Sequence, residues 1–146
     1  MNWTAGFNMG TRFDSICLFV QDLQKMVAFY RDVLGFEIEW DRKGPYAEFK
    51  HHGIRFSMYE RSELPKLLGK KPDYPRGLNG TFELALDLPR FEDVDKEYSR
   101  VVSAGAIPVY KPRDEPWGMR SSMVTDPEGN LIEIGSWNKG VVEAAS

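Results

Sequence analysis

The first regular pattern in the sequence is the run Phe13-Asp-Ser-Ile-Cys-Leu-Phe-Val20, in which aliphatic residues occupy every second position from Ile16 to Val20. This alternation predicts a β-strand with one apolar face. The segment Leu23 to Leu34 then carries apolar residues at helical spacing, and Gly35 follows it as a residue that readily ends a helix. A strand followed by an amphipathic helix is therefore predicted at the start of the chain.

Three shorter strand patterns come after this helix, with glycine-containing turns between them. They are Phe36 to Trp40, Tyr46 to Lys50 and Ile54 to Glu60. The predicted order of elements in the first half is therefore β-α-β-β-β.

The second half of the chain repeats this order. Its predicted elements are a strand at Phe82 to Leu88, a helix at Phe91 to Ser103, and strands at Ile107 to Lys111, Met119 to Thr125 and Leu131 to Gly135. When the halves are superposed, Tyr30 falls on Tyr98 and Gly53 falls on Gly129. The chain is therefore predicted to contain two copies of one unit.

These patterns predict a single α+β domain over residues 11–138, built from two βαβββ modules in tandem. The repeats span 12–62 and 80–138, a linker rich in proline and glycine covers 63–79, and 139–146 is expected to be a flexible tail. Each module is a small sheet with a helix on one face, so its other face forms an open trough. Pairing two troughs is expected to form a concave cavity, where a ligand would bind.

The composition argues against several classes of function. The net charge is −3 and the basic residues are scattered among acidic ones, so a nucleic-acid partner is not expected. No run of about 18 apolar residues occurs, so no membrane-spanning helix is expected. Cys17 is the sole cysteine, which rules out a disulfide within the chain. Together with the absence of a signal-like N-terminal run, this indicates a cytoplasmic protein.

Four stretches carry a resemblance to a known family: Val20-Gln-Asp-Leu23, Phe29-Tyr-Arg-Asp-Val-Leu-Gly-Phe36, Trp117-Gly-Met-Arg120 and Thr125-Asp-Pro-Glu-Gly-Asn-Leu-Ile-Glu-Ile134. In this order, and on these predicted elements, they resemble the glyoxalase/bleomycin-resistance/dioxygenase (vicinal oxygen chelate) family. The resemblance covers nearly the whole chain. It implies the tandem βαβββ fold, a small-molecule ligand in the sheet cavity, and a homodimer.

The resemblance also implies where a ligand set would lie. Metal-dependent members of the family carry ligands on the first and last strands of each half, and these positions fall on Ser15, Ser57, Glu83 and Glu133. Glu83 and Glu133 are therefore candidates both for catalysis and for holding one divalent metal ion, such as Mn, Ni, Zn, Fe or Mg. The two serines depart from the pattern, because a hydroxyl is a poor ligand for zinc, nickel or iron. A protein without any cofactor is the alternative.

Another interpretation gives the two glutamates a structural role. A carboxylate between apolar neighbours on a core strand loses solvation unless a partner compensates it. Glu83 would then pair with an arginine such as Arg55 or Arg120, and Glu133 would be retained without chemistry. If the two carboxylates instead meet across the cavity, a cation, an arginine or a shared proton must separate them, and one pKa would rise.

Further candidate ligand contacts combine small, polar and aromatic side chains. They are Ser15, Ser57, Tyr59, Trp117 and Arg120. Small residues on the inward face predict an open cavity, and aromatic rings would suit a planar or apolar ligand. The only histidines, His51 and His52, fall in a predicted hairpin turn, which indicates solvated residues rather than metal ligands.

The resemblance leaves three hypotheses for function open. The first is a divalent-metal-assisted lyase, isomerase or dioxygenase, in which Glu83 and Glu133 hold the metal. The second is a metal-free protein that binds a small or antibiotic-like molecule without catalysis, which the two serines favour. The third is a structural or regulatory partner whose cavity is vestigial.

Overall fold

The computed structural model describes residues 10–138. Residues 1–9 lie outside this range, as do residues 139–146, for which a flexible tail is predicted. Within it the chain forms two four-stranded sheets, each with a helix on one face.

The first half contains β1 (Ser15–Val20), α1 (Leu23–Ala28), a π-helical segment that continues α1 (Phe29–Val33), β2 (Ile38–Glu39), β3 (Tyr46–Phe49) and β4 (Arg55–Glu60). A 3-10 turn (Arg61–Glu63) and α2 (Leu64–Leu68) follow between the halves. The second half contains β5 (Asn79–Asp87), α3 (Phe91–Ser103), β6 (Ile107–Asp114), β7 (Arg120–Thr125) and β8 (Asn130–Ser136).

The two sheets have the same topology. The strand order is β1-β4-β3-β2 in the first sheet and β5-β8-β7-β6 in the second. In each sheet the first strand pairs in parallel with the last, and the other neighbours are antiparallel. The predicted pair of βαβββ modules is therefore confirmed. The two sheets do not close on each other, which is consistent with a concave cavity.

Local hydrogen bonds explain how α1 begins and ends. The Asp22 carboxylate accepts a hydrogen bond from the Lys25 backbone N–H in the first turn at 3.0 Å, which caps the helix. At the other end the Leu34 N–H donates to the Phe29 carbonyl at 3.1 Å, and the Phe36 N–H donates to the Tyr30 carbonyl at 2.9 Å. The helix therefore widens in its last turn. Because Phe36 is bonded to the helix, it does not join the sheet, and β2 is shorter than predicted.

One hydrophobic core extends through both halves. The buried face of α1, with Leu23, Met26 and Tyr30, belongs to the same cluster as Ile132 and Ile134 of the second half. Burial of large apolar side chains stabilises a fold by about 1.5–3 kcal/mol each. The helix of the first module thus shares its core with the sheet of the second.

A turn of the second half also binds the residues on either side of α1. The fully buried Asp126 carboxylate accepts a hydrogen bond from the Tyr30 hydroxyl at 2.7 Å. The Glu128 carboxylate accepts from the backbone N–H groups of Gln21 at 2.7 Å and Asp22 at 2.9 Å. Burial raises the pKa of the Tyr30 hydroxyl and the negative charge of Asp126 raises it further, so this group stays protonated and acts as a donor.

The helices within residues 10–138 are short. The longest of them, α3, has 13 residues and buries Val94 and Val101. It packs across β6, β7 and β8. None of the described helices has the length and apolar character needed to cross a membrane.

Candidate functional site

The predicted site residues of the first half lie on one face of its sheet. We call the side of each sheet away from its helix the open face. Met58 of β4 is buried in the core, so its neighbours Ser57 and Tyr59 project from the open face. Ser15 lies on the same face of β1, because its position alternates with that of the core residue Leu18.

Glu83 and Glu133 lie on the open face of the second sheet. Ile132 of β8 is buried in the core, so its neighbour Glu133 projects from the other side. Glu133 is in register with Ala85 of β5, which is two residues from Glu83. The two glutamates are therefore diagonal neighbours on adjacent strands.

A third carboxylate, that of Glu115, approaches the same face from the residue after β6. It accepts hydrogen bonds from Arg113 Nε at 2.7 Å and from Ser121 Oγ at 2.8 Å. The bond from Arg113 lowers the pKa of Glu115 most, and the bond from Ser121 lowers it further. We call Glu83, Glu115 and Glu133 the acidic cluster. Glu115 was not predicted as a site residue, because it lies in a loop without strand alternation. Its only signal was the opposite charge of Arg113 two residues earlier.

The acidic cluster changes the proton affinity of Glu133. Its pKa is raised, mainly because the carboxyl group is partly buried, and further because Glu83 and Glu115 are negatively charged nearby. Arg113 favours the charged form of Glu115, whereas burial and the nearby negative charges favour the protonated form of Glu133.

Arg120, predicted to contact a ligand, is held by two aspartates. Its Nε lies 2.7 Å from Asp95 of α3 and its Nη1 lies 3.0 Å from Asp114. Arg120 is in register with Ser136, whereas its neighbour Ser121 is on the open face. The guanidinium group therefore points towards α3 rather than towards the acidic cluster. Its role in ligand binding stays a prediction.

Within residues 10–138, Glu83 and Glu133 have no arginine partner. Arg55, the second possible partner that the sequence offered for Glu83, instead pairs with Asp14 at 2.5 Å and with Glu48 at 3.3 Å. Among residues 10–138 no ion pair involves Glu83 or Glu133. The repulsion between the two negative charges must therefore be reduced by a proton, by solvent or by a bound ligand.

The remaining candidates are distributed over both sheets. Trp117 is exposed in the turn between β6 and β7, and Tyr59 makes an edge-to-face contact with Tyr46 at a centroid distance of 6.5 Å. In the described part of the chain, no hydrogen bond joins Ser15 or Ser57 to the acidic cluster. The structure thus brings the two glutamates together and places the two serines on the other sheet.

Among the described residues, cavities lie next to β1 at two places. One of about 280 Å³ lies between the halves, and its lining includes His51 and Glu83. The other, of about 400 Å³, lies between β1 and the segment that joins the halves, and its lining includes Tyr74. Neither is lined by Ser15, Ser57 or Glu133. His51, expected to be only a solvated turn residue, is exposed but also borders a cavity.

The donors of a single chain do not fit a transition-metal site. Protein sites for zinc and other transition metals use three or four imidazole, thiolate or carboxylate ligands. Residues 10–138 contain no group of three or more His, Cys, Asp or Glu side chains that could hold an ion. The four positions implied by the resemblance supply two carboxylates on one sheet and two neutral hydroxyls on the other.

Comparison with known proteins gives a family match over most of the chain. The model of the Glyoxalase/Bleomycin resistance protein/Dioxygenase superfamily matches residues 12–134. The uncharacterized protein YraH of Bacillus subtilis (strain 168) is 33% identical over 122 residues, which cover 82% of this chain and 93% of that protein. The uncharacterized protein Mb0911c of Mycobacterium bovis is 32% identical over 123 residues, covering 81% of this chain and 78% of that protein.

Solved structures show the same fold. A glyoxalase/bleomycin resistance protein/dioxygenase from Nocardioides superposes with a TM-score of 0.76 at 24% identity, covering 92% of this chain and 88% of that one. A lactoylglutathione lyase from Agrobacterium tumefaciens superposes with a TM-score of 0.65 at 25% identity, covering 86% of this chain and 93% of that one.

Proposed function

The chain belongs to the Glyoxalase/Bleomycin resistance protein/Dioxygenase superfamily, and we propose that it binds a small organic cation on the open face of its second sheet, through Glu83 and Glu133. The observation that carries the proposal is the pairing of two carboxylates on adjacent strands, neither of which forms an ion pair within residues 10–138. Two neighbouring carboxylates are stabilised when a positive charge lies between them. A bound cation would therefore lower the raised pKa of Glu133.

An organic cation suits this face better than a metal ion held by the chain alone. A planar cation such as an amidinium or guanidinium group can donate to two carboxylates at once, and it needs no further ligands from the protein. A transition-metal ion such as Zn²⁺ or Ni²⁺ needs additional protein donors, which the described residues of one chain do not supply.

The open face of the first sheet supports a role for a second copy of the chain. Its aromatic residues Phe19 and Tyr46 are exposed in the single chain, although they are large and apolar. Exposed apolar surface of this kind marks an interaction site. We infer a homodimer in which the first sheet of one copy covers the acidic cluster of the other. Ser15, Ser57 and Tyr59 of the covering copy would then complete the site.

Calorimetric titration with benzamidinium at pH 7 tests the ligand proposal, with benzoate as the anion of similar shape. We expect benzamidinium alone to bind, and we expect Glu83→Gln and Glu133→Gln each to weaken it about five- to tenfold, the loss of one charge-assisted hydrogen bond. The matched control is Glu92→Gln, an exposed glutamate of α3 that pairs with Arg90. Equal binding of benzamidinium to all four proteins, or of benzoate to any, would contradict the proposal.

A metal-assisted lyase, isomerase or dioxygenase is the second candidate. It is favoured by the position of Glu83 and Glu133 on the strands where metal enzymes of the superfamily carry ligands, and by the similarity to a lactoylglutathione lyase. Thermal unfolding with Mn²⁺, Ni²⁺, Zn²⁺, Fe²⁺ or Mg²⁺ separates the candidates. A metal that raises Tm in the unmodified protein but not in Glu83→Gln or Glu133→Gln would favour the enzyme.

Analytical ultracentrifugation tests the dimer. Phe19→Glu places a charge on the face expected to be covered, so it should shift the protein towards monomer by tenfold or more in the dissociation constant. Leu67→Glu is the control, because Leu67 is also exposed but lies on α2. An unmodified protein that sediments as a monomer would refute the inferred dimer without touching the ligand proposal.

A further inference from the structure

We propose that the cavity between the two halves is a second ligand site, which takes an uncharged aromatic molecule of one or two rings with a single hydroxyl group. We call it the interhalf cavity. It lies between the helix-facing side of the first sheet and the edge strand β5, and Glu133 does not line it. This site therefore goes beyond the cation site proposed above. Its volume is about 280 Å³, and an engineered apolar cavity of about 150 Å³ already holds benzene.

One wall of the interhalf cavity is a preformed cluster of aromatic rings. The ring centroid of Phe49 lies 4.4 Å from that of Phe56, 5.3 Å from that of Tyr30 and 5.6 Å from that of Phe36. All four residues line the cavity. The Tyr30 hydroxyl is bonded to Asp126, so this residue offers only its ring. Rings fixed in this way favour an aromatic ligand, which can make edge-to-face contacts with them.

The opposite wall leaves apolar surface uncovered. Leu84 and Leu86 are on the core-facing side of β5, yet both are only partly buried. At the mouth of the cavity Ile16 is 44% exposed and Ile54 is 36% exposed. Each of these side chains would gain stabilisation from an apolar ligand, in proportion to the area removed from water.

The helix that borders the interhalf cavity is irregular at this place. Tyr30 belongs to the π-helical segment Phe29–Val33, and Leu34 follows it directly. Both residues line the cavity. Such segments are rare, cost stability relative to a regular helix, and are frequent at functional sites. The irregularity is an observation independent of the cavity itself, and it points to the same place.

Two polar side chains indicate the single polar group of the ligand. Besides Tyr30, the polar residues of the lining are His51 and Glu83. Neither side chain forms a hydrogen bond or ion pair within residues 10–138. A hydroxyl group can donate to the Glu83 carboxylate and accept from the His51 imidazole, which uses both of its hydrogen-bonding capacities. A charged ligand would lose solvation against the apolar walls, so an uncharged one is preferred.

Methyl NMR of isoleucine-labelled protein with 2-naphthol tests this site, because isoleucines lie both in and away from the cavity. Ile16, Ile54 and Ile132 line it, whereas Ile107 of β6 does not. We expect saturable shifts of the three lining methyl groups and none of Ile107. No saturable shift, or shifts of equal size at Ile107, would overturn the proposal.

A matched pair of variants locates the binding. Ile16→Trp fills the mouth of the interhalf cavity and should weaken the binding of 2-naphthol tenfold or more. Ile107→Trp, at a position 52% exposed on another strand, should change the affinity less than twofold. If Ile16→Trp does not fold, Ile54→Trp makes the same test. Equal affinity of the two tryptophan variants would contradict the assignment.

Competition distinguishes this proposal from the cation site. Glu83 belongs to both sites, so excess benzamidinium should weaken the binding of 2-naphthol by no more than about tenfold, the loss of one hydrogen bond, because the aromatic wall of the interhalf cavity is not part of the cation site. Full displacement of 2-naphthol would mean one shared site and would overturn the inference. Absence of benzamidinium binding, with 2-naphthol still bound, would refute the cation site alone.

Discussion

The two halves of the chain share a topology but carry different chemistry on their open faces. The open face of the first sheet carries the partly exposed Tyr59, the buried Ser57 and Glu48 in an ion pair with Arg55, whereas the second sheet presents the acidic cluster. Phe19 and Asp87, which superpose in the repeat, show the same contrast. The duplicated fold therefore determines where side chains point, and the substitutions between the copies determine what each face can bind.

The turns before the last strand of each half differ as well. In the second half the turn formed by residues 126–130 is partly buried and is bonded to the residues on either side of α1. The equivalent turn of the first half, residues 50–54, is exposed. The same backbone feature thus holds the modules together in one copy and is a surface hairpin in the other. Substitutions at equivalent positions should have very unequal effects.

Asp126 and Lys50 occupy equivalent positions of the repeat, and the largest difference in the loss of unfolding free energy is expected between Asp126→Ala and Lys50→Ala. The Asp126 carboxylate accepts from Tyr30 Oη at 2.7 Å, Glu128 N at 2.9 Å, Asn130 N at 3.0 Å and Asn130 Nδ2 at 2.8 Å. Its loss leaves buried donors unpaired and should lower the free energy of unfolding by about 3–5 kcal/mol. Lys50 is exposed, so its loss should cost less than about 0.5 kcal/mol. Urea unfolding measures both, and similar values would contradict the asymmetry.

A smaller difference is expected between Gly129→Ala and Gly53→Ala. Both glycines have positive φ, 85° and 94°, which costs an alanine about 1–2 kcal/mol. A Cβ atom on Gly129 would also lie 1.9 Å from the Gly77 carbonyl oxygen, whereas one on Gly53 would meet nothing within 4 Å. We expect a loss of about 3 kcal/mol for Gly129→Ala and about 1 kcal/mol for Gly53→Ala. Thermal unfolding tests this, and equal Tm shifts would show that the backbone relaxes freely at Gly129.

The smallest effect is expected in the pH dependence of stability. The folded protein raises the pKa of Glu133 above its ordinary value of 4.5, so it binds the proton more tightly than the unfolded chain does. The stability linked to this proton is fully present below pH 4.5 and is lost as the pH rises through the folded-state pKa. As the pH rises over this range, the free energy of unfolding of the unmodified protein should therefore fall relative to that of Glu133→Gln. The fall should be at most about 1 kcal/mol, because solvent still reaches the carboxyl group.

The equivalent residue of the first half supplies the control for this pH effect. Ser57 superposes on Glu133 and does not titrate, so Ser57→Ala should keep a constant stability difference from the unmodified protein. Urea unfolding at a series of pH values measures both variants. A difference for Glu133→Gln that stays flat with pH would show that its carboxyl group is not perturbed.

Most of the fold could be predicted because its signals are local. Alternation in β1 and β5, helical spacing in α1 and α3, and the Asp22 cap depend on neighbours in the sequence. The placement of Glu83 and Glu133 on one face required only strand parity, together with the pairing of the first and last strands of a module.

The elements that differed from the prediction depend on distant partners. β5 begins at Asn79 rather than Phe82, because the Asn79 N–H donates to the Gly129 carbonyl at 2.8 Å and its side chain donates to Asn130 at 3.0 Å. β6 extends beyond Lys111 through register shifts that accommodate its prolines on the edge of the sheet. Neither pairing has a signature within the strand itself.

The sequence by itself determined the duplicated βαβββ order, the family and the face on which each strand residue lies, because periodicity, turn residues and capping act over a few positions. Only the tertiary structure decided that Glu115 joins Glu83 and Glu133, that Arg120 turns to α3, and that a cavity bordered by His51 opens between the halves. These features depend on distances between residues far apart in the chain, which are set by how the two modules pack.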